Sequence, residues 1–311
     1  MKRLLILGFV ICLITYNSTI WAQSSSDNTL RILAIGNSFS DDGMEYLPAL
    51  LDNLNVKNVE VARLYVGGCS LKQHLTFFNE QEDAYIFNRS EAGENRWVEF
   101  QAKVSLRFAL SLGKWDIITL QQQSGQSGLY DSYEPYLGEL IQIIKELQPS
   151  ARIAWHMTWS YSSNSKHGEF RNYESNSQKM MEAIYNATQQ AIKAHPEIEI
   201  IIPAGTAIQS LRMSAINNYP HDLTRDGYHM GFGAGRYALA CVWYEELIAP
   251  FTKISMKGNT LFINKGMIAV TPITAAYCQM AAQNAVRKNF TPKKVKQVKH
   301  TLQKIEQNRK Y

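Results

Sequence analysis

The sequence has little that would hold a metal or a phosphate. No Cys-x-x-Cys or His-x-x-x-His spacing occurs in its 311 residues, and without such spacing a zinc site has no sequence support. Neither a G-x-x-x-x-G-K nor a G-x-G-x-x-G loop is present, so nothing points to a nucleotide phosphate cradle, and no metal or organic cofactor is expected. Cysteine is scarce. Cys12 lies in the first apolar stretch, which leaves Cys69, Cys241 and Cys278, an odd number that permits at most one disulfide. Cys241 and Cys278 sit in apolar helical patterns, where buried free thiols are common. Beyond the first 22 residues no apolar run approaches 18. No Pro/Gly/Ser-rich linker and no internal repeat divides the chain. The net charge of +5 is not spread over the chain either. Lys2 and Arg3 contribute +2, and residues 291–311 hold seven Lys or Arg against Glu306 alone, which leaves a body of −3. A mildly acidic body does not suit nucleic acid.

What is present begins with a leader. Residues 1–22 place Lys2 and Arg3 before an apolar stretch from Leu4 to Ile14, and Ala22 precedes polar "QSSSDN". That is the layout of a secretory signal peptide, and the apolar part is short for a membrane span. The expectation is an exported protein, secreted or periplasmic, with no membrane span once the leader is removed. Residues 23–29 read as a polar lead-in, 30–290 as one domain and 291–311 as a basic tail.

Within the domain, short apolar runs alternate with longer segments of helical period. Strands are expected at Leu30–Ile35, Val59–Tyr65, Trp115–Leu120, Arg152–His156 and Ile198–Ile202. Helices are expected near 43–54, 97–112, 133–147, 174–194, 232–247 and 271–287. Such alternation indicates βαβ units. It predicts a flavodoxin-like, three-layer α/β/α domain with a five-stranded parallel sheet. Ligands of open parallel sheets bind beyond the carboxyl ends of the strands. Here those ends read "GNSFS", "VGGCSL", "QQQSG", "MTWSYSSNS" and "PAGTA", small or polar in every case.

Ser38 stands where the first strand runs out. It has two readings, an N-cap of the next helix or a nucleophile whose oxyanion would face backbone N–H groups. A nucleophilic Ser needs a base. Of seven His residues, His229 has a carboxylate at a fixed short distance, Asp226 three positions earlier in "DGYH". A turn brings i and i+3 to one side, so the carboxylate can fix the tautomer of the ring. An Asp-Gly turn followed by a half-buried His is the structural alternative.

Taken together, Gly36-Asn37-Ser38 near the start and Asp226-Gly227-Tyr228-His229 near the end resemble the blocks of SGNH (GDSL-type) hydrolases, with Asn where the first block usually has Asp. The resemblance spans about residues 30–290 and implies a Ser38, His229 and Asp226 triad. It also implies an oxyanion hole from the Ser38 N–H, a Gly N–H of a second block and a side-chain amide of a third. "YVGGCSL" offers Gly67 and Gly68, of which Gly68 is preferred because it directly precedes the small polar Cys69-Ser70 step. The third block departs from the family, reading "LQQQSG" where Gly-x-Asn-Asp is usual. Counting from Asp116 puts Gln123 at the Asn position and Gln121 at the Gly position. This resembles a divergent secreted branch of unknown function. In the fourth loop, Trp159 and Tyr161, with Phe170 and Tyr173, offer aromatic faces among Ser and Asn, a composition suited to a sugar. Gln121 joins Trp159 and Tyr161 as a candidate substrate contact. The expected activity is removal of short acyl groups, most plausibly acetyl, from carbohydrate or another small ester. The alternatives are a lipid or thioester hydrolase on the same site and an inactive SGNH-like carbohydrate-binding protein.

Overall fold

A computed structural model describes residues 28–287. The expected leader, most of the polar lead-in and the basic tail lie outside the described residues. The elements follow in the order β1 (Leu30–Gly36), α1 (Ser38–Met44), α2 (Leu47–Asn53), β2 (Val59–Tyr65), α3 (Leu71–Asn79), β3 (Tyr85–Ser90) and β4 (Val98–Val104). Next come α4 (Leu106–Ser111), β5 (Ile117–Leu120), α5 (Tyr136–Leu147), β6 (Arg152–His156), α6 (Ser177–Ala194), β7 (Ile198–Ile202) and α7 (Ala204–Arg212). The last helices are α8 (Ala234–Trp243), continued by a π turn over Tyr244–Ile248, then α9 (Ala249–Thr252) and α10 (Pro272–Arg287). No helix among the described residues is long and apolar enough to cross a membrane.

The sheet has seven strands in the order β4-β3-β2-β1-β5-β6-β7. The expectation of a five-stranded parallel sheet is corrected to a mixed one. The five expected strands are its parallel part, and β3 pairs antiparallel with both β2 and β4. The edge was missed for a physical reason. Val98, Phe100, Ala102 and Val104 alternate strictly with polar residues, the period of a strand, inside a stretch expected to be one helix over 97–112. Most of β4 is exposed, so its alternation comes with little burial. Ser105 then caps α4 by accepting the Phe108 N–H, which ends the strand and starts the helix. The expected helix over 43–54 is likewise two pieces, since Pro48 opens α2 and has no N–H to extend α1.

The topology positions the site. From β1 the chain moves one way to β2, and from β5 the other way through β6 to β7. Right-handed crossovers then put α1 and α2 on one face and α5 and α6 on the other. The packing agrees: α8 contacts α1, α7 and α10, while α3 contacts α4 and α5. Strands β1, β5 and β6 are apolar and buried almost throughout, as a doubly covered sheet requires. The order reverses between β1 and β5, so the loops after these two strands splay apart and leave a crevice. Ser38 follows β1, and Gln121 to Gln123 follow β5.

Candidate active site

Ser38 does not cap its helix. Asn37 does, its Oδ1 accepting the Phe39 N–H at 3.0 Å. The Ser38 hydroxyl is thereby left for another partner and lies 2.8 Å from Nε2 of His229, a residue 191 positions away. On the other side of the ring, Nδ1 is 2.7 Å from Oδ2 of Asp226, whose Oδ1 accepts the His229 backbone N–H at 2.8 Å. A carboxylate only accepts, so Nδ1 carries the hydrogen and Nε2 presents its lone pair to Ser38. Burial works against the charge on Asp226, but the bonds from the His229 ring and the backbone N–H groups outweigh it and hold the carboxyl at about 2. The arrangement can pass a proton from Ser38 to His229 while Asp226 stays ionised.

The loop carrying His229 is tied down on both sides. Gly227 has φ +98°, and a Cβ there would stand 2.9 Å from Cα of Ser165. The backbone can therefore turn at this point against the β6–α6 loop, where both the N–H and hydroxyl of Ser162 reach the Gly227 carbonyl. On the α1 side, buried Asp42, one turn beyond Ser38, accepts the Met230 N–H at 2.7 Å and pairs with Arg225 and Arg236. Asp42 thus links the helix of the hydroxyl to the residue after the imidazole. The sequence reading missed this carboxylate and both arginines. Their only sequence signal is the i+4 spacing of Asp42 from Ser38, which means nothing until the fold brings Met230 over it.

Asn37 also explains the departure in the first block. Its Nδ2 donates to the Cys69 carbonyl at 3.0 Å, and its Oδ1 accepts from Nε2 of Gln121 at 2.7 Å. An Asp in this place could not make the first bond. Gln121 in turn faces Nδ1 of His156 through Oε1 at 2.8 Å. Burial pushes the His156 ring down to about 3, so it is neutral and gives its Nδ1 hydrogen to the amide. The ends of β1, β5 and β6 and the turn after β2 are thus joined by one row of neutral hydrogen bonds.

Gly68 lies in the exposed turn after β2 at φ +63°, a conformation that favours glycine. Gln123, half-buried, is held at both ends. Its Oε1 accepts the Gln126 N–H, and its Nε2 donates one hydrogen to Oε2 of Glu169 at 2.7 Å. Gln122 points inward, where its amide binds Ser132 and accepts the N–H groups of Leu71 and Gln123.

Three expected substrate contacts are corrected. Gln121, Trp159 and Tyr161 are fully buried, as are Phe170 and Tyr173, so none offers a face to a ligand. Trp159 stacks on Phe39 at 4.3 Å, and its indole N–H donates to the Tyr228 carbonyl. The Tyr161 hydroxyl shares a hydrogen with Ser124. These rings brace the floor beneath the His229 loop, because burying a large aromatic gains more than leaving it in water. Cys69, Cys241 and Cys278 are buried free thiols. Among the described residues no three His, Cys, Asp or Glu side chains are grouped to hold a metal ion.

Ser38, His229 and Asp226 thus stand in line at the switch point of a doubly wound α/β sheet. Residues 31–278 match the family described as a domain of unknown function (DUF4886), and the chain belongs to that family. The crystal structure of a DUF4886 family protein from Bacteroides uniformis is 35% identical with a TM-score of 0.77, covering 88% of this chain and 99% of that one. A candidate SGNH hydrolase from Slackia heliotrinireducens is 21% identical with a TM-score of 0.48, covering 70% and 98%. An acetylxylan esterase from Geobacillus stearothermophilus is 14% identical with a TM-score of 0.47, covering 70% and 94%. No curated protein matches the sequence. Ser38, Asp226 and His229 come together as the resemblance to SGNH hydrolases implies.

Proposed function

We propose that the protein is an exported serine esterase that removes short acyl groups, acetyl first, from carbohydrate. The observation that carries this reading is the line from Ser38 Oγ through His229 to Asp226, at 2.8 and 2.7 Å. Ser38 Oγ attacks the ester carbonyl as His229 Nε2 takes its proton. His229 then returns that proton to the departing sugar oxygen, which leaves an acyl-Ser38. Water, deprotonated by His229, attacks the acyl-serine and releases the carboxylic acid. Asp226 orients the ring and stabilises its cation. The oxyanion is assigned to the backbone N–H groups of Ser38 and Gly68 and to the second amide hydrogen of Gln123, the one not given to Glu169. Export rests on the pattern of residues 1–22, and preference for a short acyl group on the polar strand-end loops.

The bond from Gln123 to Glu169 favours a competing reading, a carbohydrate-binding protein on a silent scaffold, because a carboxylate beside the oxyanion works against it. A fluorophosphonate probe separates the two, since it reacts only with an activated serine. Labelling and nitrophenyl acetate hydrolysis are expected in the wild type and should fall about 10³-fold or more in both Ser38→Ala and His229→Ala. A wild type inert to both reagents would overturn the proposal. Across nitrophenyl esters, acetate is expected to turn over fastest, and a maximum at long chains would mark a lipid hydrolase.

A further inference from the structure

The β6–α6 loop, the start of α6, the end of α7 and the segment between α7 and α8 surround a cavity of about 370 Å³ whose wall includes neither Ser38 nor His229. This volume is at the small end of the range for small-molecule sites. The wall is polar, and its charges are already satisfied. Arg212 donates to the hydroxyls of Ser160 and Ser177 and to the carbonyls of Ser160 and Asp222. The Asp222 carboxylate accepts from the N–H and hydroxyl of Ser163 and from the Asn217 amide. What remains for a ligand is amide, hydroxyl and one aromatic ring, from Gln209, Ser175, Tyr219 and Gln178, whose Nε2 keeps one hydrogen beyond the one given to Glu182. Tyr219 is 75% exposed, and Oε1 of Gln209 is buried without a hydrogen-bond partner. An anion would find the guanidinium already occupied and the Asp222 carboxylate in the wall.

The backbone of these two loops is strained. Glu174, Ser175, Asp222 and Leu223 have φ of 54°, 50°, 50° and 70°, and none is glycine. Such conformations persist only where the surroundings impose them, and they gather at ligand sites. The loop that shapes the cavity also carries the catalytic candidates: Asp222 lines the wall, while His229 meets Ser38 and Asp226 holds the far side of the His229 ring.

We infer that this cavity is a non-catalytic subsite for a neutral oligosaccharide, whose ring stacks on Tyr219 and whose hydroxyls bond the amides of Gln178 and Gln209. The subsite replaces the buried aromatics as the carbohydrate contact. It rests on the esterase reading only for the chain to which the ester is attached. Ser38→Ala protein, which cannot turn over an ester, is titrated calorimetrically with xylotetraose, cellotetraose, maltotetraose and chitotetraose. At least one is expected to bind more tightly than about 10 mM, and Tyr219→Ala added to that protein should weaken it about tenfold. Gln178→Ala, also at an exposed position, serves as the second variant and should weaken the same ligand. With Ser38 intact, Tyr219→Ala should lower kcat/KM for the acetylated form of that oligosaccharide about tenfold relative to kcat/KM for nitrophenyl acetate. Binding of none of the four, or binding indifferent to both variants, overturns the subsite. Binding without any hydrolysis leaves the subsite standing and overturns the esterase reading, whereas hydrolysis of nitrophenyl acetate without sugar binding does the reverse.

Discussion

Among the described residues two nucleophile–imidazole pairs occur, and they have opposite prospects. Ser38 and His229 meet at the rim of the sheet at 2.8 Å, with Asp226 behind the ring. Cys69 and His74 meet at 3.4 Å, and the hydroxyl of Tyr85, not a carboxylate, stands 2.9 Å from the same ring nitrogen. The thiol is intrinsically the better nucleophile, yet Cys69, His74 and Tyr85 are fully buried. Burial pushes the Cys69 thiol up to about 12 and the His74 ring down to about 3, so neither becomes charged near neutral pH. A nucleophile and a base in contact are therefore not a catalytic pair. Solvent access and a fixed negative charge make the difference, and only the rim pair has both.

Removing the charge from the rim pair should bring it toward the buried one. Asp226→Asn keeps the shape but can hold the wrong tautomer of His229, so kcat on nitrophenyl acetate should fall about 10³-fold or more. Because the carboxyl sits at about 2, wild-type activity should not be lost through Asp226 at any pH above about 4. A variant within tenfold of wild type would remove Asp226 from the mechanism. The second feature proposed for the rim is an oxyanion donor, Gln123. Gln123→Ala should lower kcat about 10²-fold with little change in KM, as for a donor aimed at charge found only in the transition state. A silent variant would leave the oxyanion to the backbone alone.

The buried pair should prove dispensable. Cys69→Ala is expected to keep kcat within about twofold while costing roughly 1 kcal/mol of stability. Iodoacetamide should reach Cys69 only after unfolding. Labelling of the native protein together with loss of activity would reverse the comparison. The smallest effect concerns burial acting on α1 itself. Asp41, largely buried, is raised to about 6 by that burial, against the opposing charge of Arg63. Below about pH 4 the carboxyl is neutral in both folded and unfolded chains. Between about 4 and 6 only the unfolded chain releases the proton, so stability falls as pH rises through this window. Asp41→Asn removes that loss and should raise Tm by about 2–3 °C at pH 7.5, equal to roughly 1 kcal/mol, with no gain at pH 4. An equal shift at both pH values would mean that the charge is not the cause.

Much of the parallel sheet was legible because its strands are continuous apolar runs ended by turn residues, and three of the five have the bounds expected. Ser38 and the Asp226–His229 pair were legible for a similar reason, since a strand end and an i,i+3 turn are local geometry. Strand β4 was obscured by a competing helical pattern over 97–112. Trp159 and Tyr161 were misread because sequence shows an aromatic among polar residues but not which way the ring turns. Gln121 was assigned to substrate when its amide is consumed by Asn37 and His156, partners 84 and 35 residues away.

The sequence by itself determined the elements that depend on neighbours: the strand before Ser38, the turn before His229 and the polar strand ends. Only the tertiary structure decided that His229 meets the Ser38 hydroxyl across 191 residues and that Asp42 holds the two together. Local propensity acts over a few residues, whereas those contacts depend on strand order and on which side chains lose water. Those are properties of the assembled sheet.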